Sequence, residues 1–146
     1  MRERAWTVVL LTLAIVACLQ PARAERGPST QEERDKALAL IDNLERDPLG
    51  KDAKAARQWL TLWLIEVPDI SVTVCTSMLG PLTESKKNYT GEIGVQLMYS
   101  SAAFIIRNSE KRDDAASVQQ AGVEGALRTY ESILKAKPKA HQPFLD

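Results

Sequence analysis

The strongest constraint on the fold of this chain is that only one short run of its sequence is strand-like. Ile70, Val72 and Val74 alternate with polar residues, and their β-branched side chains suit a strand. The sequence offers no second run to pair with it, and a lone strand would leave its backbone N–H and C=O groups unpaired. We therefore expect an all-α fold. We interpret residues 69–79 as a short helix with Asp69 as its N-cap, with a strand as the alternative.

Four further segments place apolar residues at helical spacing. The first helix is predicted to start at a capping box, in which Ser29 or Thr30 pairs with a glutamate three residues later. It is predicted to stop before Pro48, whose ring cannot continue a helix. The other predicted helices cover about 52–66, 90–108 and 115–136. Near its end the helix at 52–66 is apolar on nearly all sides, which is typical of a central helix. These segments predict a small single-domain bundle of four to five helices.

Residues 1–24 have the three parts of a cleavable signal peptide. Arg2 and Arg4 give a positively charged start, and residues 5–17 form an uncharged, mainly apolar run. The segment Ala22-Arg23-Ala24 then offers the small residues that signal peptidase accepts. The apolar run is shorter than the ~20 residues that span a bilayer as a helix. We therefore expect cleavage after Ala24 and an exported protein, either periplasmic or secreted.

Cleavage after Ala24 would leave a helical domain over residues 25–146, with an ordered core predicted at 29–140. The chain has 19 Lys plus Arg and 19 Asp plus Glu. Removing three arginines and one glutamate with residues 1–24 leaves 16 and 18, a net charge of −2. The charges are interspersed and form no basic stripe that would neutralise phosphates, so we do not expect nucleic acid as a partner.

A second processing site overlaps the first. The segment Ile15-Val16-Ala17-Cys18 resembles the lipobox of bacterial lipoproteins, in which the cysteine is lipidated and becomes the first mature residue. The resemblance implies an alternative, a lipoprotein accessory subunit that is anchored to a membrane through Cys18. We favour ordinary cleavage after Ala24, and we expect membrane association only if Cys18 is lipidated.

The predicted mature domain has one cysteine, Cys75, and one histidine, His141. A lone thiol forms no disulfide within the chain, and we interpret Cys75 as a free thiol that packs as a small hydrophobic residue. One cysteine and one histidine cannot supply the usual ligand sets of zinc or haem. We therefore predict no metal site and no cofactor. Because the sequence shows no catalytic constellation, we also predict that the protein is not an enzyme.

Four aromatic residues are the candidates for a ligand or partner groove. Trp59 and Trp63 are four residues apart, which places both indoles on one helix face. There they could line a groove that binds a peptide or a sugar. Tyr99 and Tyr130 could join them. The same spacing arises when tryptophans belong to the core, and the surrounding aliphatic residues favour that interpretation of the pair.

The last predicted helix carries a resemblance to a known repeat. Residues 126–134, followed by Pro138, resemble the second helix of a tetratricopeptide repeat in the spacing of small, aromatic, aliphatic and proline residues. The charged linker at 110–114 stands where the first helix of that repeat would lie, and no copy recurs at the 34-residue period. The resemblance implies that this helix packs against a neighbouring helix. It does not imply that the chain is a repeat protein.

By elimination, we expect an exported, non-enzymatic domain that binds a protein or peptide outside the cytoplasm or acts as a scaffold. A first alternative is a carrier that holds a small apolar ligand in a cavity between the helices at 52–66 and 90–108. The membrane-anchored lipoprotein subunit described above is a second alternative. An enzyme whose site is scattered over loops is the remaining one.

Overall fold

The computed structural model describes residues 26–74, 80 and 88–146, and all regular structure in this part of the chain is helical. The bounds of the elements are α1 (Gln31–Arg46), α2 (Ala53–Glu66), α3 (Thr90–Arg107), a 3-10 turn (Ser109–Lys111) and α4 (Ala115–Ala136). The prediction of a small, single-domain, all-α fold is confirmed, with four α-helices in the described residues. The predicted signal peptide, Cys18 and Cys75 lie outside them.

The predicted capping box starts α1. The Glu33 N–H donates to Thr30 Oγ1 at 3.2 Å, and the Thr30 N–H donates to the Glu33 carboxylate at 2.9 Å. These two bonds satisfy backbone donors that have no partner inside the helix. The helix ends at Arg46, two residues before Pro48.

Small residues bring α3 and α4 together along the longest helix–helix interface of the described chain. A Cβ on Gly122 would lie 2.8 Å from the Leu97 carbonyl oxygen, and a Cβ on Gly125 would lie closer still to the Ser100 hydroxyl. Ser101 Oγ donates to the Val118 carbonyl across the same interface at 3.2 Å. The two helices therefore approach so closely that only glycine fits at these positions.

The core has two adjoining parts, which share α3. The larger part lies among α1, α2 and α3 and includes Ile41, Leu44, Leu60, Trp63 and Tyr99. The smaller part lies between α3, α4 and the C-terminal tail and includes Ile93, Leu97, Tyr130, Ile133 and Ala140. None of the helices in the described residues is long and apolar enough to cross a membrane.

The short helix predicted at 69–79 is wrong for the part that the structure describes, because residues 69–74 form neither a helix nor a strand. Asp69 caps nothing after it. Its carboxylate accepts hydrogen bonds from the Ser29 N–H and Oγ at 2.7 Å each, and from Arg34 Nη2 at 3.0 Å. Residues 75–79 lie outside the described residues. The segment is thus tied to the start of α1.

This contact also changes the acidity of Asp69. Partial burial raises the pKa of the carboxyl, but the bonds from Ser29 and the nearby Arg34 guanidinium outweigh it. The pKa of Asp69 is therefore held below its ordinary value, and the group stays ionised at neutral pH.

Candidate functional site

The predicted tryptophan pair is present and stacked. The ring centroids of Trp59 and Trp63 lie 5.6 Å apart, with 12° between the ring planes. Trp63 is buried and Trp59 is half-buried, with Lys36 Nζ 4.2 Å from the Trp59 ring centroid. Trp63 therefore belongs to the core, while Trp59 keeps one face near the surface.

A cavity of about 340 Å³ borders this pair, and we call it the tryptophan cavity. It is lined by Arg26, Glu33, Trp59, Leu62, Trp63 and Glu66. Its polar rim is already paired, because Arg26 forms ion pairs with Glu33 and with Glu66. The hydrogen bond from the Thr30 N–H holds the pKa of Glu33 below its ordinary value, and the charge of Arg26 acts in the same direction. Partial desolvation raises the pKa but is outweighed. A charged ligand would have to compete with these pairs.

A larger groove of about 710 Å³ lies between α2 and α3, and we call it the α2–α3 groove. It is lined by Lys54, Arg57, Gln58, Thr61, Leu62, Val95 and Tyr99. Both charged residues in this set are cations. Leu62 lines this groove and the tryptophan cavity alike, so the two hollows meet at its side chain.

Hydrogen bonds hold Tyr99 at the wall of the groove. Its hydroxyl donates to the Arg57 carbonyl at 3.0 Å and lies 2.7 Å from Thr61 Oγ1, from which it accepts. Burial raises the pKa of Tyr99 above its ordinary value. Both partners lie on α2, so the phenol fixes the spacing between α2 and α3 and leaves a fully bonded hydroxyl at the groove.

The exposed face of α2 is the feature that sequence reasoning missed. Leu62 is 60% exposed and Ile65 is 76% exposed, although both belong to an apolar stretch that predicted a central helix. That prediction is wrong, because α2 packs mainly on α1 and leaves one apolar side in solvent. The signal was in the sequence: these residues continue the apolar surface around the helix, away from the stripe that carries Leu60 and Trp63.

Tyr130 lies in the other part of the core and lines neither hollow. Its hydroxyl accepts from the Gln142 N–H at 2.9 Å and bonds to the Asp146 carboxylate. The His141 ring also contacts Asp146, at 3.3 Å. Of the four aromatic candidates, the structure therefore brings Trp59, Trp63 and Tyr99 to α2, and it places Tyr130 under the C-terminal tail.

The described residues hold no group of three or more His, Cys, Asp or Glu side chains that could bind a metal ion. Cys75, the predicted free thiol, lies outside the described residues.

Comparison with known proteins identifies no relative of this chain. No protein-family model matches it. No curated protein and no solved structure matches it either.

Proposed function

We propose that this protein is an exported, non-enzymatic binding domain that holds an amphipathic helical segment of a partner protein in the α2–α3 groove. The observation that carries the proposal is the pair of exposed aliphatic side chains on α2: Leu62 lines the open groove, and Ile65 lies one turn further along the helix. Exposed apolar surface of this kind, next to a concave site, favours a protein partner.

The geometry suits a helix. Helix α2 has 14 residues, which corresponds to a length of about 21 Å. A partner helix of similar length would place side chains at i, i+3, i+4 and i+7 along the groove. Burying a leucine-sized side chain contributes about 1.5–3 kcal/mol, so Leu62 and Ile65 together would supply a large part of the affinity.

The charges indicate an acidic partner. Lys54 and Arg57 line the groove without an acidic neighbour in its lining, and Arg57 is held in place by a hydrogen bond to the Pro48 carbonyl at 3.0 Å. Carboxylates on the flanks of the partner helix would meet these cations. Such complementarity acts mainly on the association rate and on the choice of partner.

The test is a fluorescence-anisotropy titration with a labelled, designed amphipathic helix of about four turns. It has leucines on one face and glutamates on the flanks. The full chain should bind it more tightly than the same peptide with lysines in place of the glutamates. Leu62→Asp should weaken binding by about tenfold or more, because a lost leucine contact exceeds about 1.4 kcal/mol.

Leu127→Asp is the matched control. Leu127 is also exposed, at 38%, but it lies on α4 and lines neither hollow. The control should bind like the wild type. The proposal is contradicted if neither peptide binds, or if Leu127→Asp weakens binding as much as Leu62→Asp.

An apolar small molecule is the second candidate for the same groove, since its volume of about 710 Å³ falls in the range of small-ligand sites. A carrier would gain thermal stability from a long-chain fatty acid, and a Tm rise with that ligand but no peptide binding would favour it.

Export forms part of the proposal and rests on residues 1–24. The intact mass of the protein from its native host tests it. A chain that starts at Glu25 supports release into the periplasm or medium. An acylated chain that starts at Cys18 would make it a membrane-anchored lipoprotein, and a chain that keeps residues 1–24 would contradict export by this signal.

A further inference from the structure

Residues 70–74 form an unpaired segment with strand-like alternation. Ile70 is buried and Val72 and Val74 are half-buried, whereas Ser71 and Thr73 are exposed. Within the described part of the chain, no hydrogen bond engages a backbone N–H or C=O of these five residues. The apolar side chains hold the segment on the core, and the described residues leave its main-chain groups available to a second strand.

A groove of about 370 Å³ runs beside this segment. One wall is formed by Ser71 and Thr73, and buried Ile105 and Val118 contribute apolar surface. The rest of the lining comes from Arg112 and Asp113, just before α4, and from Ala115 and Gln119 in its first turns. An extended chain that paired with this segment would lie about 4.8 Å from it, on the side that faces the start of α4.

We infer that this groove, which we call the strand groove, binds an extended peptide segment of a partner, and that the peptide pairs through its main chain with residues 71–73. A helical partner would satisfy its own backbone N–H and C=O groups and leave the backbone groups of residues 71–73 unpaired. An extended partner would pair its backbone groups with those of residues 71–73. Alternate side chains of the peptide would contact Ile105 and Val118.

A second copy of this chain fits less well. Five residues provide a short strand pair, whose contact area is far below the roughly 1,000 Å² that a stable protein interface needs. A single peptide can enter the groove and contact both walls, whereas a folded copy would be kept out by the start of α4.

The charges of the strand groove favour a neutral peptide. Its lining carries one cation, Arg112, and one anion, Asp113, and neither forms an ion pair with a described residue. The α2–α3 groove, by contrast, is lined by cations alone. The two sites are therefore expected to select different ligands.

The test is an NMR titration of the full chain with a blocked, neutral hexapeptide of alternating valine and threonine. Backbone amides at 71–73 and at 115–119 should shift. The same peptide with a methyl group on every backbone nitrogen should produce no shifts, because it has lost the main-chain donors of both edges. Ala115→Trp should abolish the shifts by filling the groove. Ala116→Trp, at an exposed neighbour outside the lining, should retain them.

Three results would overturn the inference. The first is no shift at peptide concentrations of about 1 mM, where weak but specific sites respond. The second is equal binding of the N-methylated peptide. The third is a concentration-dependent dimer whose interface maps to residues 70–74. Because Leu62→Asp should leave hexapeptide binding unchanged, failure here is separable from failure of the α2–α3 groove.

Discussion

The two sides of α3 differ in how closely a neighbouring helix approaches. On one side, Gly122 and Gly125 let α4 come so near that an added Cβ would lie 2.8 Å from the Leu97 carbonyl oxygen and 2.7 Å from Glu45 Oε1, respectively. On the other side, α2 leaves a groove of about 710 Å³. One helix thus takes part in a close-packed interface on one side and lines an open groove on the other.

Side-chain size and polarity explain the difference. At the α3–α4 interface, Ser100 Oγ donates to Glu45 Oε1 at 2.7 Å, and Arg128 Nε donates to Glu45 Oε2 at 2.7 Å. These bonds tie three helices together at a point where small residues leave no gap. At the groove, the bulky side chain of Tyr99 stands between the two helices and bonds to α2. Close packing on one side of α3 therefore stabilises the fold, and looser packing on the other side leaves an open groove.

The largest predicted effect comes from closing the space at the tight interface. Gly125→Ala should lower the free energy of unfolding by about 2 kcal/mol. Overpacking costs about 1–3 kcal/mol and the Ser100–Glu45 bond is displaced, while alanine recovers only about 1 kcal/mol of helix propensity. Chemical denaturation measures the change.

Gly91→Ala is the control for that substitution. Gly91 also lies in a helix, but nothing stands within 4 Å of its added Cβ, so alanine should be neutral or stabilise by up to about 1 kcal/mol. If both variants change stability equally, close packing at Gly125 is not the reason for its glycine.

A smaller effect on stability is expected at Asp69. Here hydrogen bonds and an ion pair, not close helix packing, attach residues 69–74 to α1. Because its folded pKa is lowered, its contribution is present above the unfolded value near 3.8 and is lost as the pH falls through the folded value. Asp69→Asn should cost about 1 kcal/mol at pH 7, and the difference from wild type should shrink below about pH 4.

Thermal unfolding at several pH values checks the Asp69 prediction. Asp113→Asn, at an exposed aspartate outside the ion pairs of the described residues, should not reproduce the effect. A pH-independent difference for Asp69→Asn would show that the carboxylate charge is not what anchors the segment.

The smallest effect on stability is predicted for the exposed apolar residues of α2, on the side of α3 where the groove lies. Leu62→Asp and Ile65→Asp should each change the free energy of unfolding by less than about 0.5 kcal/mol, because the replaced side chains are already largely in water. A loss of about 2 kcal/mol in denaturant unfolding would instead show that these residues belong to the core.

Local signals in the sequence predicted the helices well. The Thr30–Glu33 capping box and Pro48 set the ends of α1, and the segment predicted at 115–136 matches α4 at both ends. Such signals act within one or two helical turns, so the sequence alone contains them.

The failures arise from contacts between distant parts of the chain. Asp69 bonds to Ser29, 40 residues earlier, and this contact replaces the predicted N-cap. Tyr130 bonds to Gln142 because the tail folds back, which removes it from the predicted aromatic groove. Apolar periodicity also cannot tell whether Ile65 meets a neighbouring helix or solvent, because both give the same sequence pattern.

The most direct test of the α2–α3 groove as a partner site is photo-crosslinking in the native host. A benzoylphenylalanine that replaces Gln58, in the groove lining, is compared with one that replaces Leu127 on α4. We predict a discrete crosslinked protein from position 58 that disappears when Leu62→Asp is added, and none from position 127. No crosslink from position 58, or the same product from both positions, would contradict the proposed function.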